Sequence, residues 1–295
     1  MITREYIRNL AADMGFAACF CLPEKTEDAP ENIKSLVLLL KSYLPHNGLV
    51  DAFYPAKNQS YFDALEMMKR IEADCGVKAQ LLSNLKLKPI ATHGAGLTRG
   101  RNTINYHGEF GSKFCMELLG LEEEIFGEEM PVPKTKLDCA ACKRCMHACP
   151  GGAITEDGFV KEKCIRYYMM SGKAMPEHLR PYVGNGSYGV IGCDICQRVC
   201  PGNERMEKKR GEDAAFSLEE LLICTPETLE RFGALYGRNY ANRNRIIAQA
   251  VLAAANSGDM RYLPMIEALK DSPSALVREH VAWAIEKMTN LQKIY

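Results

Sequence analysis

The stretch Cys139-Ala-Ala-Cys142-Lys-Arg-Cys145-Met-His-Ala-Cys149-Pro150 returns in altered form as Cys193-Asp-Ile-Cys196-Gln-Arg-Val-Cys200-Pro201, with Cys164 between the two. Two residues between successive cysteines make a tight loop that turns three sulfurs toward one cubane. A fourth cysteine followed by proline is carried on to the neighbouring cluster. The second array lacks a leading cysteine of its own, and Cys164 replaces it. Eight thiolates then serve two [4Fe–4S] clusters: Cys139, Cys142, Cys145 and Cys200 for cluster 1, and Cys149, Cys164, Cys193 and Cys196 for cluster 2. Such a set points to electron transfer.

Paired cysteines two residues apart also occur in structural zinc sites, but zinc does not account for the third and fourth cysteines of each run or for both Cys-Pro pairs. A disulfide framework fits less well, because no signal peptide leads the sequence and a chain of 295 residues has core enough without covalent staples. The remaining cysteines, Cys19, Cys21, Cys75, Cys115 and Cys224, sit among apolar residues without ligand spacing and read as buried free thiols. Reduced cysteines and the lack of a run of about 18 apolar residues lead us to expect a cytoplasmic protein with no membrane partner.

The formal net charge is zero, which excludes a globally basic or acidic binding protein. Between Lys134 and Arg210 there are fourteen Lys or Arg against eight Asp or Glu. That surplus reads equally as compensation for anionic clusters and as a nucleic-acid footprint. From Asp213 onward, nine basic face ten acidic side chains, so no broad basic face is evident there.

We expect an α+β multidomain protein in three parts. Residues 1–133 alternate helix-like and strand-like segments. Thr3 to Met14 has Ile7, Leu10 and Ala11 at helical spacing, Ser35 to Leu40 is a short apolar strand, and Tyr61 to Cys75 is helical with Gly76 as its cap. This predicts an α/β layer domain able to enclose a ligand. Glu122 to Glu129 reads as a solvated acidic turn. The segment Gly94 to Thr103, followed by Tyr106, His107 and Glu109 to Ser112, is glycine-rich, but its spacing departs from the dinucleotide fingerprint. A structural turn explains its glycines as well as a ligand does.

Residues 134–211 form the ferredoxin-like double-cluster domain, with short helices from Cys164 to Met170 and around Pro176 to Tyr182. Its glycines Gly184, Gly186, Gly189 and Gly192 precede the second array. Residues 212–295 are helical. Ser217 and Thr225-Pro226 begin helices, and Ile247-Ala-Gln-Ala-Val251 returns as Val281-Ala-Trp-Ala-Ile285 after thirty-four residues, with a helix Tyr262 to Lys270 between them. That period resembles a HEAT-like repeat, although two units read equally as a helical cap.

Taken together, the segments "GLTRGRNT", "EFGSKF", "CAACKRCMHACPGGAI", "LRPYVGNGSYGVIGCDICQRVCP" and "ALKDSPSALVREHVAWAIEKM" resemble the epoxyqueuosine reductase family, cobalamin-dependent enzymes that complete queuosine in tRNA. The resemblance implies that the amino-terminal and cluster domains hold cobalamin, through Gly96, Gly100, Arg101, Asn102, Thr103, Ser187, Tyr188 and Gly189. It also implies a helical tail that helps receive tRNA, and a relay from an external flavodoxin- or ferredoxin-type donor through the outer and inner clusters to cobalt.

The sequence departs from that family in one place that bears on chemistry. The family's proton-donating Asp should fall near Leu81, yet no Asp occurs between Asp74 and Asp138. Tyr106, His93 and His107 are the alternative catalytic candidates. Thr98-Arg99 stands where the family has Trp and an aliphatic residue, and the amino-terminal third is shorter. Two functions therefore remain: a reductase acting on epoxyqueuosine or a related substrate, and a two-cluster ferredoxin-type carrier that passes electrons to a partner enzyme or corrinoid protein.

Overall fold

Leu36, Val37, Leu38, Leu39 and Leu40 are all fully buried, so the strand Ser35–Ser42 has no solvent face. Its even and odd side chains enter two different apolar clusters, which is why it reads as a continuous apolar run. With Phe114–Leu121 it forms the inner pair of an antiparallel sheet, flanked by Ala18–Leu22 on one edge and Ala79–Leu81 on the other. One face is covered by helices Arg4–Asp13 and Phe53–Cys75 through Ile7, Leu10, Ala64, Met67 and Ile71. The opposite face packs on helix Leu87–His93 and the loop beyond it through Ile90, Ala91, Leu97 and Phe110. The expected layered α/β domain is present, with an antiparallel sheet.

Local signals account for the helix limits. The Thr3 hydroxyl accepts from the Tyr6 N–H at 3.1 Å and starts the first helix. The second ends at Gly76, held at φ +65°. It begins eight residues ahead of the expected Tyr61, at Phe53, because Pro55 in a first turn costs no hydrogen bond.

This computed structural model describes residues 1–22, 26–128, 137–213 and 215–292. The expected boundary at 133/134 and the last residue of the acidic turn, Glu129, lie outside them. The chain forms two units, the first from Met1–Leu44, Pro55–Ala141 and Pro201–Lys208, and the second from Pro45–Tyr54, Cys142–Cys200 and Lys209–Tyr295. Cys142–Cys200 and the helical tail thus share a unit, while Cys139 belongs to the first.

In that second unit, helix Arg243–Ser257 is buried continuously from Ile246 to Ala255. Helices Leu218–Ile223 and Ala275–Gln292 pack on it, and its Leu252 and Ala253 meet Ile165, Met169, Leu179 and Val183 of the cluster segment. His280, fully buried, ties the same two parts together. Its Nδ1 lies 2.9 Å from the Ala248 carbonyl, and its Nε2 accepts from the Met175 N–H at 3.1 Å. The helix expected from Tyr262 to Lys270 is shorter, a 3-10 turn at Met260–Tyr262 followed by Leu263–Glu267. Among the described residues no helix is long and apolar enough to cross a membrane.

Candidate functional site

The four thiols assigned to cluster 2 converge. Cys164 interacts electrostatically with Cys149, and Cys193 with both Cys164 and Cys196. Two glycines allow this approach. A Cβ on Gly151, just past Cys149-Pro150, would collide with the Lys163 carbonyl oxygen beside Cys164. A Cβ on Gly192, at φ +114° just ahead of Cys193, would collide with the Asp51 side chain. Backbone N–H groups point at the sulfurs: Ala153 donates to Cys149 Sγ at 3.3 Å, Tyr167 and Arg166 to Cys164, and Ile195 to Cys193. Burial pushes the Cys164 and Cys193 thiols up, against these donors. A bound metal must displace their protons, so loading releases acid.

For cluster 1, Cys139 and Cys142 open and close one helical turn, and Lys143 follows at φ +46°. A left-handed non-glycine residue is strained backbone of the kind found at functional sites. It reverses the chain into helix Arg144–Ala148, which carries Cys145 and packs on helix Ile195–Arg198, two residues ahead of Cys200. Among the described residues no three His, Cys, Asp or Glu side chains gather tightly enough for one metal ion. A cubane's thiolates bind separate irons and stand farther apart than the ligands of a single zinc.

The glycine-rich segment is a small hairpin, Thr98–Arg99 paired with Asn105–Tyr106. Thr103 closes its turn at φ +61°, donating its N–H to the Gly100 carbonyl at 2.9 Å. Gly100 serves the hairpin itself, since a Cβ there would lie 2.8 Å from both Asn102 Oδ1 and the Tyr106 ring. Asn102 Nδ2 donates to the Tyr106 hydroxyl at 2.9 Å, and both residues are buried. The hairpin touches Cys139 and the chain just past Cys200. Arg101 Nε donates to the Cys139 carbonyl at 3.2 Å, and a Cβ on Gly202, two residues past Cys200, would sit 3.1 Å from the Tyr106 ring.

His107 follows, its ring stacked on Phe110 at 4.0 Å between centroids. Its Nδ1 accepts from the Glu109 N–H at 3.2 Å, so the neutral ring carries its proton on Nε2. Burial holds its pKa below the ordinary value, and Glu109 partly offsets this. His93 is exposed at the end of helix Leu87–His93.

Ser187, Tyr188 and Gly189 are engaged by protein. Ser187 Oγ donates to the Tyr182 carbonyl at 2.8 Å, and the Tyr188 hydroxyl donates to the His46 carbonyl at 2.8 Å and accepts from Arg210 at 3.2 Å. A Cβ on Gly189 would lie 2.6 Å from Leu49.

Two groups escaped the sequence reading. Asp194, buried between two cluster 2 cysteines, is held by Arg198 at 2.9 Å and Arg210 at 2.6 Å. Asn203, fully buried, accepts at 2.7 Å from the Ser112 N–H, and a Cβ on Gly111 would strike its Oδ1. Lys113, also buried, pairs with Glu207 at 3.0 Å. The "EFGSKF" stretch is therefore a clamp on the chain leaving Cys200. The one available signal was that its Gly-Ser and the Pro-Gly-Asn after Cys200 are both made of turn and capping residues.

The family described as "4Fe-4S double cluster binding domain" matches residues 138–203, and this segment carries two [4Fe–4S] clusters. The curated epoxyqueuosine reductase of Bacillus cereus is 30% identical over 64% of this chain and 50% of its own length. That of Burkholderia pseudomallei is 31% identical over 82% and 66%, and that of Lactococcus garvieae 26% over 92% and 77%. The chain belongs to the epoxyqueuosine reductase family.

It spans about half the length of the Bacillus cereus relative. Solved epoxyqueuosine reductases share the fold. The Streptococcus thermophilus enzyme superposes with a TM-score of 0.79 at 16% identity, covering 98% of this chain and 91% of that one. A Bacillus subtilis enzyme with its catalytic aspartate loop swung out of the active site gives 0.76 at 18%, covering 97% and 90%. One holding an epoxyqueuosine-modified tRNA stem loop gives 0.74 at 17%, covering 97% and 90%.

Proposed function

We propose that this chain is a cytoplasmic iron–sulfur, cobalamin-dependent reductase that acts on epoxyqueuosine in tRNA or on a closely related substrate. The observation that carries this reading is the hairpin Thr98–Tyr106, which bonds the Cys139 carbonyl and packs by Gly202. An electron on cluster 1 would then be close to whatever the hairpin holds. Cluster 1, with Cys139, Cys142, Cys145 and Cys200, is the inner cluster, and cluster 2, with Cys149, Cys164, Cys193 and Cys196, the outer one supplied by an external donor. A carrier without its own reaction would have no use for the clamped hairpin.

Cobalamin fits the hairpin better than the second glycine segment. Gly96, at φ +64°, and the strained turn Gly100 to Thr103 offer backbone and the Arg101 side chain, with Asn102 bracing the turn from within. Ser187, Tyr188 and Gly189 serve as packing behind cluster 2. When bound, the group supplies a strongly reducing cobalt centre.

The protein must also deliver a proton to the departing oxygen. Leu81 ends a strand and Leu82 is buried among apolar side chains, so no carboxyl stands at the family's aspartate position. His107 takes that part in our reading, with its Nε2 bearing the proton. Tyr106, whose hydroxyl is bonded to Asn102, and exposed His93 are weaker candidates. The regions 1–133, 134–211 and 212–295 are proposed as cofactor, cluster and tRNA-receiving parts, the last with a HEAT-like helical pairing.

The test is anaerobic purification and reconstitution, counting iron, sulfide, zinc and cobalt, followed by turnover of an epoxyqueuosine-bearing stem loop monitored by mass spectrometry. We expect about eight irons per chain, corrin absorbance after adding cobalamin, and loss of product in His107→Asn. Turnover by the unsubstituted chain should rise as pH falls below the ordinary histidine range, since protonating His107, which gives up the Glu109 N–H bond, makes it the acid. Failure to retain cobalamin would overturn the reading.

A further inference from the structure

Resting on the reductase reading, we propose that Lys161, Lys163 and Lys173, together with the exposed pair Phe159 and Val160, form the docking surface for an acidic single-electron carrier protein that reduces cluster 2. Phe159 and Val160 are 42% and 37% exposed, two large apolar side chains just ahead of the 3-10 turn Lys161–Lys163 that leads into Cys164. Burial in the monomer does not explain them. Just past them, Lys161, Lys163 and, from a separate stretch, Lys173 are all exposed.

Two of these lysines meet over one ring. Lys161 Nζ lies 5.9 Å and Lys173 Nζ 5.7 Å from the centroid of Tyr167. The Tyr167 N–H in turn bonds the Cys164 sulfur. The ammonium groups are thus one residue removed from a cluster ligand. From Lys143 to Lys173 the sequence carries six Lys or Arg against three Asp or Glu. One of those acids, Glu156, is already paired with Lys143.

A small apolar patch beside a cationic surplus, Lys161 being partly offset by Glu162 at 3.7 Å, suits a transient electron-transfer complex, in which charge steers the encounter and the apolar contact sets the distance. The surplus is cationic, so the partner is acidic. A nucleic-acid backbone fits less well, because Glu162 and Asp157 interrupt the lysines and an exposed apolar pair directly precedes them. The step is a one-electron exchange: the reduced carrier loses one electron, the oxidised cluster gains it, and no bond or proton changes hands.

The test mixes anaerobic holoprotein with reduced flavodoxin by stopped flow, following the cluster absorbance at low and physiological ionic strength. In the triple variant Lys161→Glu, Lys163→Glu, Lys173→Glu we expect the second-order rate to fall at least about tenfold at low salt, with its salt dependence flattened. Reduction by dithionite, a small reagent, should be unchanged. Should the triple variant lose iron, Lys173→Glu alone, nine residues beyond Cys164, gives the same readout. Phe159→Ser with Val160→Ser should slow the limiting rate at high carrier while leaving the salt slope intact. Unchanged flavodoxin rates in the charge variants would overturn the proposal, as would a loss confined to binding of a tRNA stem loop. Failure of cobalamin to bind would count against the reductase reading alone, because cluster reduction is read without it.

Discussion

The two cysteine arrays share a spacing and differ in what surrounds them. Around cluster 2 the sulfurs approach through Gly151 and Gly192, and the chain entering Cys164 is exposed, apolar and rimmed with lysine. The ends of the cluster 1 set are instead locked into a hairpin and a buried clamp, through Arg101, Tyr106, Gly111 and Asn203. Spacing decides which metal group is held. The neighbours are what set the two sets apart.

The largest break in this comparison comes from removing a ligand on one side only. Cys164→Ser should lower iron from about eight to about four per chain and leave the cluster 1 signal in the paramagnetic resonance spectrum; even loss from both clusters would show the sets to be interdependent. Gly111→Ala attacks the cluster 1 side. At φ +56°, with Asn203 where the methyl must go, it should cost on the order of 2–4 kcal/mol in thermal unfolding and lower cluster 1 occupancy first.

Acid sharpens the comparison from the other side, since His280 joins the helical tail to the cluster segment. Burial lowers its pKa to about 4. Between that value and the ordinary 6.5 the unfolded chain binds a proton that the folded protein does not, so stability is complete above pH 6.5 and falls as pH drops toward 4. The loss should be on the order of 2–3 kcal/mol, and largely absent in His280→Gln, measured as Tm against pH. The smallest effect is expected for Arg101→Ala, about 1 kcal/mol for one bond to a carbonyl. Full iron content should survive it, and a shift confined to the cluster 1 potential would mark the hairpin as electrically coupled.

What could be read from the sequence follows the range of the interactions involved. The helix starts at Ser217 and Thr225-Pro226 and the apolar strand from Ser35 to Leu40 are local signals, and each is found where its residues predict, the strand running on to Ser42. The strand Phe114–Leu121 was not legible, because Glu117 interrupts its apolar run. That carboxylate is buried and satisfied by Lys57 and by Ser60 at 2.9 Å, residues distant in the chain. The bonding of Tyr188 was not legible for the same reason: its partner His46 lies 142 residues earlier. The clamp at Ser112 depends on Asn203, 91 residues later.

The first unit is sewn from three stretches, the last being Pro201–Lys208. Met206 fills its apolar layer and Glu207 answers buried Lys113. During translation, then, a ribosome that has released the amino-terminal sheet has not yet released what completes it. Those residues emerge only after Cys200, so the sheet matures no earlier than the moment when every thiolate is available to take up iron.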